Sequence, residues 1–191
     1  MSAHTFGAVV LAAGLARRMQ GPNKLLLDLR GRPLVRYAID AALASKAERV
    51  VLVTGRDGDA VAAAAPAHAK LARVHNDTPE TGLARSLQLG LAALPDADAV
   101  AIVLGDMPNI TPAIIDALLT AWTPAHYAAV PEHAGEIGNP VVLSRAAIAD
   151  CAQLAGDRGA RKLIEAHANE IARVPFETRA IFADIDEPND L

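Results

Sequence analysis

The strongest constraint on this chain is an alternation. Short aliphatic runs, each closed by small or turn-forming residues, are separated by longer segments with helical periodicity. An unbroken run such as Ala99–Leu104 is apolar on both faces of a strand and needs cover on both sides. Strands of that kind interleaved with helices build parallel βαβ units rather than hairpins. The first run, residues 7–11, ends in Ala12-Ala13-Gly14, and the second, 49–53, ends in Thr54-Gly55. Residues 72–75 give a shorter third strand. The run at 99–104 stops abruptly at Gly105-Asp106-Met107-Pro108, and 128–130, 141–143, 173–176 and 181–184 supply later strands. Helices are predicted over Leu34–Ala44 after Pro33 and over 59–65, where Pro66 ends the segment. A third helix buries a face marked by Leu83, Leu87, Leu91 and Leu94. Thr111-Pro112 supplies an N-cap and first-turn proline for a helix with Ile114, Leu118 and Trp122 on one face. Ser144 and Asp157 read as N-caps of two further helices. No repeat, low-complexity linker or shift of composition divides the 191 residues. The expectation is one domain over 1–191, of α/β class, with a single doubly wound, mostly parallel sheet.

Composition then removes whole classes of function. Lys and Arg total 18 against 22 Asp and Glu, a net charge of -4 with no basic block, which argues against a partner held by phosphate neutralisation such as nucleic acid. Aromatic residues make up 3% of the chain, too few for base-stacking platforms. Cys151 is the single cysteine, so an internal disulfide framework and an all-cysteine zinc site are both excluded. It lies three residues from Ile148 on an apolar helix face and reads as core. No stretch of about twenty apolar residues exists to span a membrane. Residues 1–6 lack the basic and apolar regions of a secretory signal, so a cytoplasmic location is expected. None of the six histidines falls in an H-E-x-x-H arrangement, and no G-x-S-x-G elbow is present, which argues against a zinc or serine hydrolase.

In open parallel sheets ligands bind outside the carboxyl ends of the strands. Here the first strand runs into a glycine loop that carries Arg17 and Arg18 and reaches Lys24, the central strand ends at Asp106, and a late strand ends at Asp184-Ile185-Asp186. Backbone N–H groups with cations suit polyphosphate, and hard carboxylate oxygens suit Mg²⁺. The loop is neither a G-x-G-x-x-G fingerprint, since Ala16 and Met19 stand at the later glycine positions, nor a Walker A loop, since Leu25 replaces Ser or Thr. Gly14 is assigned to a cradling turn on the ground of its conformational freedom. Plainer readings stand beside these. The loop can be an ordinary turn with solvated arginines, Gly-Asp-x-Pro is itself a good turn, and Asp184 with Asp186 can be a solvated acidic tail.

Taken together and in order, these segments resemble a known family. The stretch from Leu11 to Lys24, L-A-A-G-x-x-x-R-M-x-G-x-x-K, resembles the signature loop of the molybdenum cofactor nucleotidyltransferases, within the MobA-like NTP transferase superfamily. Thr81-Gly82-Leu83-Ala84-Arg85-Ser86-Leu87 resembles the family's glycine-serine segment, and Gly105-Asp106-Met107-Pro108 its metal-binding motif. Gly138-Asn139-Pro140 and the segment from Gly156 to Arg161 resemble its substrate half, and the chain closes on a similar D-I-D-x-P-x-D-L. Two departures are Ala16, where many relatives carry serine, and Arg85, where many carry a small residue or serine.

The resemblance implies a Rossmann-like nucleotidyltransferase fold and transfer of a nucleoside monophosphate to the phosphate of a molybdopterin-type acceptor, with release of pyrophosphate. It implies that Leu11, Ala12, Ala13, Gly14, Gly82 and Ser86 contact the nucleotide. Arg18 and Lys24 would stabilise its charge, Asp106 and Asp186 would hold Mg²⁺ or Mn²⁺, and Asn139, Asp157 and Arg158 would serve the acceptor side. L-A-A-G rather than L-A-G-G tilts the nucleotide toward CTP. A molybdoenzyme is the implied target partner. Three other readings remain open: a cytidylyltransferase for a sugar or alcohol phosphate, an NAD(P)H-dependent reductase of the same superfamily, and a nucleotide-binding delivery protein without catalysis.

Overall fold

In the computed structural model, residues 4–14 and 23–185 are described. Six strands form the main frame: β1 (Phe6–Ala12), β4 (Arg49–Thr54), β5 (Leu71–His75), β6 (Ala99–Leu104), β7 (Ala128–His133) and β10 (Ile171–Pro175). Between them, β2 (Asp28–Leu29) and β3 (Arg32–Pro33) make a small hairpin. Its two-residue turn is Arg30-Gly31, both at positive φ, as the tightest hairpin turns demand. The strands β8 (Glu136–Ile137) and β9 (Val141–Ser144) complete the main sheet. Its order is β10-β7-β9-β6-β1-β4-β5, with β8 paired to β7. The pairs β6-β1, β1-β4 and β4-β5 are parallel, as is β7-β10, whereas β9 runs antiparallel to both of its neighbours. The sheet is therefore mixed but mostly parallel, with helices on both faces.

Side-chain alternation along β1 explains the two layers. Ala8, Val10 and Ala12 enter one apolar core with α1 (Leu34–Ala44), α2 (Gly58–Ala64) and α4 (Pro112–Ala121). Val9, Leu11 and Ala13 enter the other with α3 (Leu83–Ala92), α5 (Arg145–Cys151) and α6 (Arg161–Ala166). A strand buried on both faces gains nothing from polar residues, which is why these runs read as continuous hydrophobics. Thr111 caps α4 by accepting from the Ile114 N–H, Pro112 stands in its first turn, and Ser144 caps α5 through Ala147, all as predicted. Cys151 is buried among core residues on α5.

Three local expectations fail. Residues 181–184 are not a strand. A 3-10 turn, Arg179–Phe182, stands there instead, because the Ile181 carbonyl accepts from the Asn139 N–H rather than from a neighbouring strand. Asp157 caps no helix. The next helix begins at Arg161, and the Gly156 carbonyl instead accepts from the Ala84 N–H at the start of α3. Leu83 does not share the buried face of Leu87, Leu91 and Leu94. It is 37% exposed, because as the first residue of α3 it projects past the strand ends. No described helix is long and apolar enough to cross a membrane.

Candidate functional site

The parallel register brings the carboxyl ends of β6, β1, β4 and β5 to one edge, and a cavity of about 360 Å³ opens there. Ala13 and Gly14 leave β1 into its wall, Asp106 comes from the turn after β6, and Ser86 faces it from α3. Lys24 enters from the turn Lys24–Leu26. That turn is started by Asn23, whose side chain accepts from the Leu25 N–H at 3.1 Å while its Nδ2 donates to Arg56 O at 3.5 Å. This positioning role of Asn23 was missed, although an Asn one residue before Lys24 is a sequence signal for a capped turn.

The electrostatic centre is an ion pair. Lys24 Nζ stands 2.8 Å from Asp106 Oδ2 and also donates to Ile185 O at 2.9 Å. The two side chains are 14% and 22% exposed, and both line the cavity. The Ile185 N–H donates in turn to Asp106 O at 3.0 Å, so the segment near the end of the chain is strapped across the β6 turn. The next residue along is Asp186. Asp186 and Arg18 both lie outside the described residues, as do Ala16 and most of the glycine loop.

Two glycine contacts set the shape of the cavity. Gly82 has φ +106°, and a Cβ there would sit 2.3 Å from the Gly156 backbone carbon. The segment before α3 and the segment around Gly156 therefore meet backbone to backbone, which only glycine allows. Next to β1, a Cβ on Gly55 would meet the Ala13 carbonyl at 2.9 Å and the Ala13 Cβ at 3.0 Å, so the methyl of Ala13 occupies space that Gly55 leaves. Of the cradle expected at Gly14 only the residue itself is described, since residues 15–22 lie outside the described residues. The φ of Gly14 is not in the left-handed region, and a Cβ there meets no described atom within 4 Å.

A second cavity of about 250 Å³ adjoins the first, sharing Leu11, Leu83 and Leu104 with it. Asn139, Gly138, Arg161 and Glu165 line it together with aliphatic side chains. Of the three residues expected on the acceptor side, Asn139 lies here, and Asp157 lines the first cavity instead. Arg158 is exposed and lines neither, because the turn through Gly156 and Gly159 directs Arg161 toward the cavity in its place. Leu11 and Gly82 line the first cavity as expected, while the buried Ala12 does not. Arg85 is exposed on the outer side of α3 and borders neither cavity. Leu83, which was assigned to the core, forms the partition between the two cavities.

A divalent cation fits this donor set in one way. Among the described residues no three His, Cys, Asp or Glu are grouped to hold a metal, and Asp106 is a single hard carboxylate on the cavity wall. Mg²⁺ takes one or two protein carboxylates and completes its shell with water and substrate phosphates. The site therefore suits a cation that arrives with a polyphosphate rather than one caged by the protein.

Comparison with known proteins agrees with this fold. Residues 8–171 match the MobA-like NTP transferase domain. The crystal structure of Rv0371c from Mycobacterium tuberculosis H37Rv superposes with a TM-score of 0.84 at 28% identity, over 100% of this chain and 96% of that one. The same protein in complex with manganese superposes at 0.79, with 26% identity over 97% and 95%. A nucleotidyl transferase from Methanothermobacter thermautotroptrophicus, Mth528, shares the fold at 0.85 with 21% identity, over 98% of this chain and 94% of that one. By sequence, the bifunctional protein GlmU of Halorhodospira halophila is 38% identical over 113 residues, which are 58% of this chain and 23% of that protein. The chain thus spans about a quarter of the length of the curated relatives it matches.

Proposed function

The chain belongs to the MobA-like NTP transferase family, and from that premise we propose that it transfers the nucleoside monophosphate of an NTP to the phosphate of an acceptor, releasing pyrophosphate. The observation that carries this reading is the Lys24 ammonium, paired with Asp106, at one end of a cavity whose other wall carries Ser86, Gly82 and the carboxylate of Asp157. Such polarity orients a nucleotide with its triphosphate toward Lys24 and Asp106 and its base toward α3.

Transfer needs no covalent intermediate. An oxygen of the acceptor phosphate attacks the α-phosphorus in line, and pyrophosphate leaves with the electron pair of the broken P–O bond. The protein supplies position and charge neutralisation, as in phosphoryl transfer generally. Lys24 holds its ammonium at the negative charge that grows on the departing pyrophosphate, and Arg18 serves the same end. Asp106, with Asp186 from the closing segment, would hold Mg²⁺ or Mn²⁺, which when bound neutralises the phosphates and acts as a Lewis acid on the α-phosphoryl group. The manganese complex of Rv0371c supports use of a divalent cation. Gly14 lines the cavity beside β1, and Asn139 offers an amide to the acceptor from the second cavity.

The acceptor we propose is the phosphate of the molybdenum cofactor, and the nucleotide CTP. The ordered set of motifs supports the first, and Ala13 supports the second because its methyl adjoins the cavity beside Gly55. A molybdoenzyme is then the natural recipient of the product. The likeness to GlmU proteins favours a second reading, a sugar phosphate as acceptor with the same chemistry. Purified protein is incubated with each NTP, Mg²⁺ and either molybdenum-loaded molybdopterin or a panel of sugar phosphates, and pyrophosphate is measured. Release with CTP and the pterin alone supports the first reading. Release with sugar phosphates alone replaces the acceptor, and release with none overturns the transfer reading.

A further inference from the structure

Next to the cavity lies a buried polar pair that transfer chemistry itself does not use. Asn76, just after β5, is 1% exposed, and its Nδ2 stands 2.9 Å from Ser86 Oγ. Which way that amide faces follows from its other arm. Asn76 Oδ1 accepts from the Thr78 backbone N–H at 3.1 Å. A backbone N–H can only donate, so the arm facing Thr78 is the oxygen and the arm facing Ser86 is the NH₂ group. Ser86 Oγ is therefore an acceptor in this pair, and its own proton must point elsewhere. Ser86 is 4% exposed and lines the cavity, and among the described residues no group accepts that proton. The hydroxyl proton is thereby left available to an acceptor placed in the cavity that Ser86 lines.

Sheet order says which part of a nucleotide meets it. Asp106 follows β6, on one side of β1, while Asn76 follows β5, on the other side beyond β4. With the triphosphate at Lys24 and Asp106, the base lies toward Ser86.

We propose that Asn76 is a positioning residue for base selection: it holds the Ser86 hydroxyl as a hydrogen-bond donor, so the site takes a base that turns an acceptor toward α3. Cytosine offers N3 and the C2 carbonyl along one edge. Guanine carries N–H donors at the two corresponding positions, N1 and N2, with its O6 acceptor where cytosine has its amino group, and a donor fixed opposite N1 and N2 leaves both groups unpaired. This inference rests on the nucleotidyl-transfer reading, and the test separates the two.

Asn76→Asp reverses the polarity with little change of shape. The aspartate still accepts from the Thr78 N–H, but its second oxygen can only accept, so the Ser86 proton turns toward it and lone pairs face the cavity. Binding of CTP and GTP with Mg²⁺ is measured by calorimetry for the wild type, Asn76→Asp and Ser86→Ala, alongside melting temperatures. The wild type prefers CTP, and the CTP:GTP affinity ratio falls about tenfold in Asn76→Asp, the size of one hydrogen bond lost and one left unmade. The added negative charge weakens both nucleotides alike, so the ratio isolates the base. Ser86→Ala lowers the ratio similarly, Ser86→Thr restores it, and combining Asn76→Asp with Ser86→Ala lowers it no further.

If Asn76→Asp does not fold, the Ser86→Ala and Ser86→Thr pair carries the test. An unchanged ratio in a folded variant overturns the inference alone and leaves the pair as core satisfaction. A wild type that prefers GTP overturns it as well. A wild type that binds no NTP overturns the transfer reading, and this inference with it.

Discussion

Replacing Lys24 by Met keeps the length and apolar stem of the side chain and removes its charge. The contacts that go with it include the 2.8 Å ion pair to Asp106 Oδ2 and the 2.9 Å hydrogen bond to Ile185 O. Burying an acceptor without its donor costs about 1–3 kcal/mol. Asp106 keeps 22% of its side chain exposed, so water takes over much of its demand and a net loss of about 1–2 kcal/mol is expected. For a chain of this size that lowers Tm by roughly 2–8 °C. The Ile185 N–H to Asp106 O bond at 3.0 Å survives, so the closing segment stays in place. The catalytic effect is larger. A preorganised donor at developing charge contributes about 3–4 kcal/mol, so kcat falls roughly 10²–10³-fold. KM for the NTP rises less, because the charge that Lys24 meets is greatest in the transition state. Pyrophosphate release measured at saturating NTP gives kcat, and differential scanning gives Tm. The Lys24→Met/Asp106→Asn double variant should lose less than the sum of the single losses, because the two groups touch. A folded Lys24→Met protein with kcat within threefold of wild type would refute the role of Lys24.

Asp106→Ala is expected to abolish turnover and Mg²⁺-dependent NTP binding while circular dichroism stays native; retained turnover sinks the metal role. Gly82→Ala must move the Gly156 backbone and adopt φ +106° with a side chain. It should destabilise by about 2 kcal/mol or more and raise KM for the NTP, and an unchanged Tm contradicts the close packing. Burial pushes the Cys151 thiol up to about 11 from 9.0, with the Asp150 charge adding to the effect. A raised folded-state value means this stabilisation is complete below pH 9 and is lost as pH rises toward 11. Stability from urea unfolding should fall more steeply over that window in the wild type than in Cys151→Ala, and identical pH profiles dismiss the contribution.

Much of the architecture was legible because it depends on rules that act over a few residues. The bounds of α1 and β6 follow from Pro33, from helical periodicity, and from a run of six aliphatic residues closed by Gly105. The caps at Thr111 and Ser144 follow from short-range hydrogen bonding. The placement of Asp106 at a strand end followed once the strands were assigned, since parallel sheets collect ligands at that edge. Strand direction was not legible. A strand buried on both faces carries the same aliphatic pattern whichever way it runs, so only sheet pairing reveals that β9 is antiparallel.

What the sequence determined by itself is the set of elements and the residue types set at their ends, because dihedral preference, periodicity and capping are local. What only the tertiary structure decided is which of those ends meet. Lys24 and Asp106 are 82 residues apart in the chain, and Gly82 touches Gly156 because one turn leaves room for the other. The same holds for Asp157, which looked like a helix cap and became a cavity wall, and for Leu83, which looked like core and became a partition. A side chain's role at a strand end depends on sheet order and crossover path, and those are settled by the packing of the whole core against solvent, over distances no local pattern encodes.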